Sequence, residues 1–334
     1  MTTRRTPISM FMALIPILAI LGIGNLNIPS EVFAATKIEF PTKPISLVVP
    51  MSPGGGTDVV GRMIANEMSN FLPNKVIVVN KPGGAGIAGI QEVAIAKPDG
   101  YTLLFLTATP IVQTYATKNR INYKDFFLLG LVDKDSFTLV VPKNAKWATS
   151  DEFFQAAKAN PGKMRLGHPG VGTSVHLVVP LLEKYTGVKF QQVPFAGSNP
   201  THMALLGEHI DAAITTVGDV CALVNAGDIR MLALSGENRW KEYPEVPTFK
   251  EKGIDVGIFH WRGIWALKET PKPILDLLEE TIRKAANSPS YKDTMIKAGK
   301  IPDNIVGRAI LQERLKQEDS VIKEALKRLN MLEE

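Results

Sequence analysis

The chain has 334 residues, a net charge of +5 and one cysteine. That length suits about two domains with well-buried cores. The mild, dispersed positive balance suits a small anionic ligand, and the chain lacks the polybasic run or aromatic-rich repeat of a nucleic-acid binder. A single cysteine, Cys221, excludes a disulfide framework. Its apolar surroundings, Gly218 to Leu223, read as the start of a helix and favour a buried structural thiol over a nucleophile.

The first segment reads as a targeting signal. Arg4 and Arg5 precede an apolar run from Met10 to Gly24, and Val32-Phe33-Ala34 fits the small-residue rule for cleavage. The run is shorter than a membrane span and is interrupted by Pro16. Residues 1–34 are therefore expected to be a secretory signal peptide, and the mature chain is expected in the periplasm. No cysteine lies near the cleavage point to carry a lipid.

Beyond it, strand-like and helix-like runs alternate, the pattern of α/β architecture. Ile45–Val49 is an almost unbroken run of β-formers, as in a strand covered on both faces. Pro50 and Pro53 stop it, and Gly54, Gly55 and Gly56 lead into a helix over Val59–Phe71, with Thr57 or Asp58 available as a cap. Unpaired amides and the helix dipole make such a helix start favourable to an anion. Further strands are expected at Val76–Val79, Thr102–Leu106 and Leu139–Val141, with a helix at Gly89–Ala96.

A second group of strands is expected near Met164–Gly167, Phe190–Val193, Ala212–Thr215 and Met231–Leu234. Helices over Val175–Tyr185, Pro200–Leu206 and Val220–Ala226 separate them. The aromatic run Ile258–Leu267 reads as a strand, Pro271–Pro273 opens a helix to about Ala286, and Asp303 is expected to cap a long final helix. There is no repeat and no flexible linker, so the strands Phe137–Pro142 and Val256–Leu267 are expected to cross between two domains. Residues 35–137 with 258–334 would form a discontinuous first domain, and 138–257 an inserted second one. Each domain is expected to be a mostly parallel sheet flanked by helices.

Four strand-to-helix turns carry the candidate chemistry: Gly54–Gly56, Pro82–Gly89, Gly170–His176 and Pro194–Pro200. Ligands in open α/β sheets bind at the carboxyl ends of strands, so these turns are expected to face one cleft. There, backbone amides with the hydroxyls of Thr173 and Ser174 would hold a carboxylate. The phosphate-loop reading fails because no Lys-Ser or Lys-Thr pair closes a glycine loop, and the dinucleotide reading lacks both spacing and an acidic ribose partner. Asp58 would repel an anion, so it fits better as a cap or as a ligand for ordered water. The five histidines show no metal-ligand spacing, and no GxSxG elbow anchors a hydrolase. His176 fits the cleft or the packing beneath its own helix equally well. Arg262, between Trp261 and Gly263, could grip a carboxylate bidentately or be a surface residue at a domain crossing. No cofactor and no metal is expected.

Read together, FPTKPISLVVPMSPGGGTDVVGR, VVNKPGGAGIAG, KPDGYTLL, GVGTSVHL, TGVKFQQVPFAGSNP, AGDIRMLALSG, PEVPTFKEKG and WRGIWALKETP resemble, in order, the substrate-binding receptors of tripartite tricarboxylate transporters, the Bug family. The resemblance runs from about Phe40 to the C-terminus. It implies a periplasmic, two-domain Venus-flytrap protein of the type II binding-protein fold. Such a protein is no enzyme; it delivers a small organic carboxylate to membrane permease subunits. By position it implies ligand contacts at Ser52, Gly55, Gly56, Thr57 and Asp58, at Gly172, Thr173, Ser174 and His176, and at Ala196 and Gly197. The chain departs from the family pattern at Gly84-Ala85, Ile87, Val178-Val179-Pro180 and Arg262, which stands where many members carry an aromatic residue. Arg262 points to a more highly charged ligand, a di- or tricarboxylate. A monomer is expected. A receptor that presents its ligand to a sensor kinase, and an exported enzyme of related fold, stay open as alternatives.

Overall fold

The apolar run Ile45–Val49 forms β1, whose Ile45, Leu47 and Val49 are wholly buried. The computed structural model describes residues 39–116, 121–258 and 260–332. The expected signal segment 1–34 lies outside the described residues. After β1 come α1 (Gly56–Met68), β2 (Val76–Asn80), α2 (Ile87–Ala94), β3 (Thr102–Leu106), α3 (Thr109–Ala116) and β4 (Phe126–Asp135). Next follow β5 (Phe137–Pro142), α4 (Ser150–Ala159), β6 (Arg165–His168), α5 (Val178–Thr186), β7 (Gln191–Pro194), α6 (Ser198–Leu206), β8 (Ala212–Thr216), α7 (Val217–Asn225) and β9 (Ile229–Leu234). The chain closes with β10 (His260–Leu267), α8 (Lys272–Asn287), α9 (Pro289–Lys297), β11 (Ile301–Val306) and α10 (Arg308–Arg328).

The strands form two sheets. A six-stranded sheet has the order β11-β4-β10-β3-β1-β2 and centres the first lobe; a five-stranded sheet, β7-β6-β8-β5-β9, centres the second. Both are mixed rather than mostly parallel. β1 pairs in parallel with β2 and β3, and β6 with β7 and β8, whereas β4, β5, β10 and β11 pair antiparallel. The reason is the connection between lobes. β4 runs out of the first sheet into β5 of the second with only Ser136 between them, and β10 returns beside β4 with His260 opposite Asp135. Strands that enter a sheet from the other lobe run against those fed by local β-α-β crossovers.

Periodicity marked the helices because each buries one stripe. In α8, Ile274, Leu275, Leu278, Ile282 and Ala285 face the core at three- and four-residue spacing. β10 is buried along all eight residues, since it lies between β3 and β4 and beneath helices. The stretch expected to begin the last helix behaves differently. Asp303 lies in β11, an edge strand paired with β4, and Gly307 is the residue before α10. Edge pairing to β4 takes up the β-branched Ile301, Ile305 and Val306, and Gly307 at φ +131° makes the turn into the helix.

Candidate ligand-binding cleft

The turns that leave the carboxyl ends of β1, β3, β6, β7 and β8 converge between the two sheets. They surround a cavity of about 20 Å³, lined from the first lobe by Gly55, Gly56, Thr57, Thr107, Thr109, His260 and Arg262. The second lobe contributes Thr173, Ser174, Ser198, Thr216 and Asp219. That volume holds about one water molecule. The lobes are drawn together around it by the same loops. Ser52 donates from both its amide (3.2 Å) and its hydroxyl (2.7 Å) to Ala196 O. Ser174 donates its amide to Thr109 Oγ1 (3.3 Å) and its hydroxyl to Thr107 Oγ1 (3.2 Å). Asn199 Nδ2 reaches Pro53 O at 3.4 Å, and a Cβ on Gly170 would lie 2.9 Å from Ala85 Cβ in the second glycine loop.

Glycine is required where these loops approach each other. Gly197, at φ +138°, lies so close to Ser52 that a Cβ would be 3.3 Å from its amide nitrogen. A Cβ on Gly56 would fall 1.8 Å from Asp219 Oδ1. Gly55, the residue before α1, offers no side-chain acceptor, so the first amides of that helix are left for another partner.

Of the residues expected at the site, Gly55, Gly56, Thr57, Thr173, Ser174 and Arg262 line the cavity. Ser52, Ala196 and Gly197 form the contact between lobes beside it. Asp58 turns away. Its carboxylate accepts from Gly54 N–H (2.9 Å), Arg62 Nε (3.0 Å) and Asn80 Nδ2 (2.8 Å). Burial acts to raise its pKa, but these bonds outweigh it and hold the group below the usual carboxylate value. His176 is likewise committed within its lobe: Nδ1 accepts from Gly172 N–H (3.2 Å) and Nε2 pairs with Gln192 Oε1 (3.0 Å). Its ring packs 4.6 Å from that of His168, and burial lowers the pKa of both, leaving neutral imidazoles. Gly172 and His176 thus shape the turn that presents Thr173, whose hydroxyl accepts from His176 N–H.

Arg262 differs most from its expected role. It is 1% exposed, and its guanidinium is ion-paired to Asp133 and, at 2.8 Å, to Asp219. Both terminal nitrogens are thus taken by the protein's own carboxylates, and only Nε has no hydrogen-bond partner among the described residues. Lys300 also binds Asp219, at 2.5 Å. Asp133, Asp135, Asp219 and Lys300 carry no local motif. Thr107 and Thr109, by contrast, follow the carboxyl end of β3 and could have been found by the strand-to-helix rule applied to the other turns. Cys221 is buried, as its surroundings suggest, and burial raises its thiol pKa. A wider hollow of about 550 Å³ lies on the second lobe alone. Its Arg239 and Lys252 are already paired with Glu251 and Asp151, and it touches neither the glycine loops nor the first sheet.

Two α/β lobes joined by crossing strands, with strand-to-helix turns closing on a cavity between them, define a periplasmic binding protein of the two-domain type. Residues 60–326 match the model of the tripartite tricarboxylate transporter family receptor, TctC, and the chain belongs to that family. It is 35% identical to the UPF0065 protein in the gbd 5′ region of Cupriavidus necator over 307 residues, 90% of this chain and 92% of that one. Among solved structures it resembles the periplasmic binding protein BugD, with a TM-score of 0.84 at 28% identity, covering 88% of this chain and all of that one (100%). It also resembles Rpa4515 of R. palustris, solved with adipate, with a TM-score of 0.80 at 25% identity, covering 87% and 98% of the two chains.

Proposed function

We propose that this chain is a periplasmic receptor that closes around a small organic carboxylate and delivers it to the permease subunits of a tripartite tricarboxylate-type transporter. The observation that carries this reading is that one set of turns both lines the cavity and bonds the lobes together, through Ser52–Ala196 and through Ser174 with Thr107 and Thr109. A ligand held by those turns in both lobes has its highest affinity for the closed state and so drives closure. Because the cavity is so small, the ligand enters by separation of the lobes. Residues 35–137 with 258–334 would move as one jaw against 138–257, pivoting near Ser136 and the segment before His260.

Within the site, the first-turn amides of α1 at Gly55–Thr57 and the Thr173–Ser174 turn would bind the carboxylate. Gly172, His176 and Asp58 would hold those turns in place. The family description and the adipate in a structural relative support the ligand class. No nucleophile with an adjacent base lines the cavity among the described residues, so the reading is of a binder rather than an enzyme. The test is a thermal-stability screen of the purified protein against organic carboxylates, followed by calorimetry and mass spectrometry of the released compound. A carboxylate that raises the melting temperature and is recovered unchanged supports the receptor. A screen in which no carboxylate binds, or a compound recovered chemically converted, overturns it. Cell fractionation with N-terminal sequencing would test export and cleavage after Ala34.

A further inference from the structure

The inner end of the cleft holds a carboxylate of the protein's own. Asp219 stands in the first turn of α7 on the second lobe, yet its side chain reaches the first lobe. There Oδ1 accepts from Arg262 Nη2 (2.8 Å) and from Lys300 Nζ (2.5 Å). It also rests against Gly56, at the positive end of α1. Asp219, Arg262 and Lys300 are almost completely buried. We infer that Asp219 is a built-in anion that restricts this cleft to ligands carrying a single carboxylate. It occupies the two cations that a second ligand carboxylate would need.

The inference rests on the receptor reading above and narrows its ligand class. The charge balance supports it. Arg262 also pairs with Asp133 through Nη1, and Asp135 Oδ2 lies 3.7 Å from the same nitrogen. Three buried carboxylates therefore surround two cations. Burial raises the pKa of Asp133, to about 7, and of Asp135. Asp219, despite its own burial, is held well below the usual carboxylate value by Arg262 and Lys300, and is the member of the cluster that stays ionised. His260, which also lines the cavity, is kept uncharged by its burial and by the neighbouring Arg262.

Beside the ion-paired Arg262, whose Nε alone has no hydrogen-bond partner among the described residues, the far end of the cavity is lined by neutral polar groups. Both ring nitrogens of His260 and the hydroxyl of Thr216 are buried and have no hydrogen-bond partner among the described residues. A buried imidazole and hydroxyl left in this way call for a partner that can donate and accept. The ligand that fits is a monocarboxylate bearing a hydroxyl or keto group. Its carboxylate goes to the turn of Thr57, Thr173 and Ser174, and its neutral group to His260 and Thr216.

Calorimetric titration of the purified protein with chain-matched pairs tests this: 3-hydroxybutyrate against succinate, and a keto monocarboxylate against its dicarboxylate counterpart. The monocarboxylate of each pair is expected to bind at least tenfold more tightly. Asp219→Asn leaves Arg262 and Lys300 less neutralised, and the ratio of dicarboxylate to monocarboxylate affinity is expected to rise at least tenfold. Circular dichroism would verify that the variant is folded, and the native panel decides the matter by itself if it is not. Succinate or citrate binding the native protein as tightly as the monocarboxylates would overturn the built-in anion and leave the receptor standing. Failure of every carboxylate to bind would overturn the receptor reading itself.

Discussion

Asp58 illustrates how a residue beside an anion site can serve it without facing it. Its carboxylate ties Gly54 of the glycine loop to Arg62 and Asn80, and so fixes the loop on the first lobe. Asp58→Ala removes these bonds and leaves the Gly54 amide without its acceptor, while Asn80 Nδ2 keeps only its bond to Met51 O. A loss of about 1–3 kcal/mol in unfolding free energy is expected, read by urea denaturation. A second carboxylate of this kind is Glu318 on α10, which accepts from Trp261 Nε1 at 2.8 Å through both oxygens. Burial pushes its pKa up to about 7, against the hydrogen bond from Trp261. The two acids thus titrate on opposite sides of the ordinary carboxylate value, for reasons their neighbours in sequence do not reveal.

At the scale of elements, the turn between β1 and α1 does two things: it offers amides to the cleft and it meets the second lobe. Gly56→Ala is expected to keep α1 intact, because alanine is a better helix former. Its methyl group would collide with Asp219, however, and hold the lobes apart. Ligand affinity should fall at least tenfold, about 1.4 kcal/mol, and calorimetry would show it. Ser52→Ala is milder, since the Ser52 amide still donates to Ala196 O. Losing one hydroxyl bond is worth about 0.5–1.5 kcal/mol, so binding should weaken roughly two- to tenfold, with the urea midpoint nearly unchanged. An unchanged affinity would mean that this contact does not favour the closed state.

For the whole molecule, the buried acids set a pH dependence of stability. Glu318 and Asp133 both have folded-state pKa values raised to about 7, above an ordinary value of about 4. Their protonated forms suit the fold, so the stability they contribute is complete below about pH 4 and is lost as pH rises through about 7. Asp58 and Asp211, with lowered values, act in the opposite sense, and their contribution is lost only as pH falls below about 4. The buried histidines oppose the raised acids: burial lowers the pKa of His168, His176, His202 and His260, and the stability of their neutral forms is lost as pH falls below about 6.5. Glu318→Gln isolates one acid, because it keeps an acceptor for Trp261 but cannot ionise. Its melting temperature relative to the native protein is expected to rise from pH 5 to pH 8. A difference between the two proteins that does not change with pH would contradict the assignment.

The alternation of strands and helices, the glycine turns and their order along the chain could all be read from the residues, and so could the family. These features are local: a β-branched run, a helix stripe and a glycine turn each depend on neighbours within a few positions. Even so, β4 escaped notice, because Phe126–Val132 is an apolar run without the alternation of a half-exposed strand or the stripe of a helix. The capping role expected of Asp303 failed because pairing with β4 claimed that stretch for an edge strand. Only the tertiary structure decided the charge of the cleft. Arg262 meets Asp133 across 129 positions of sequence and Asp219 across 43, and those contacts turn an apparent ligand clamp into an internal ion pair. The sequence by itself determined where the chain can hold an anion, because helix starts and glycines act locally. Which charges remain free to hold one depended on what the fold brought within a few ångströms, because Coulomb interactions follow distance in space and not along the chain.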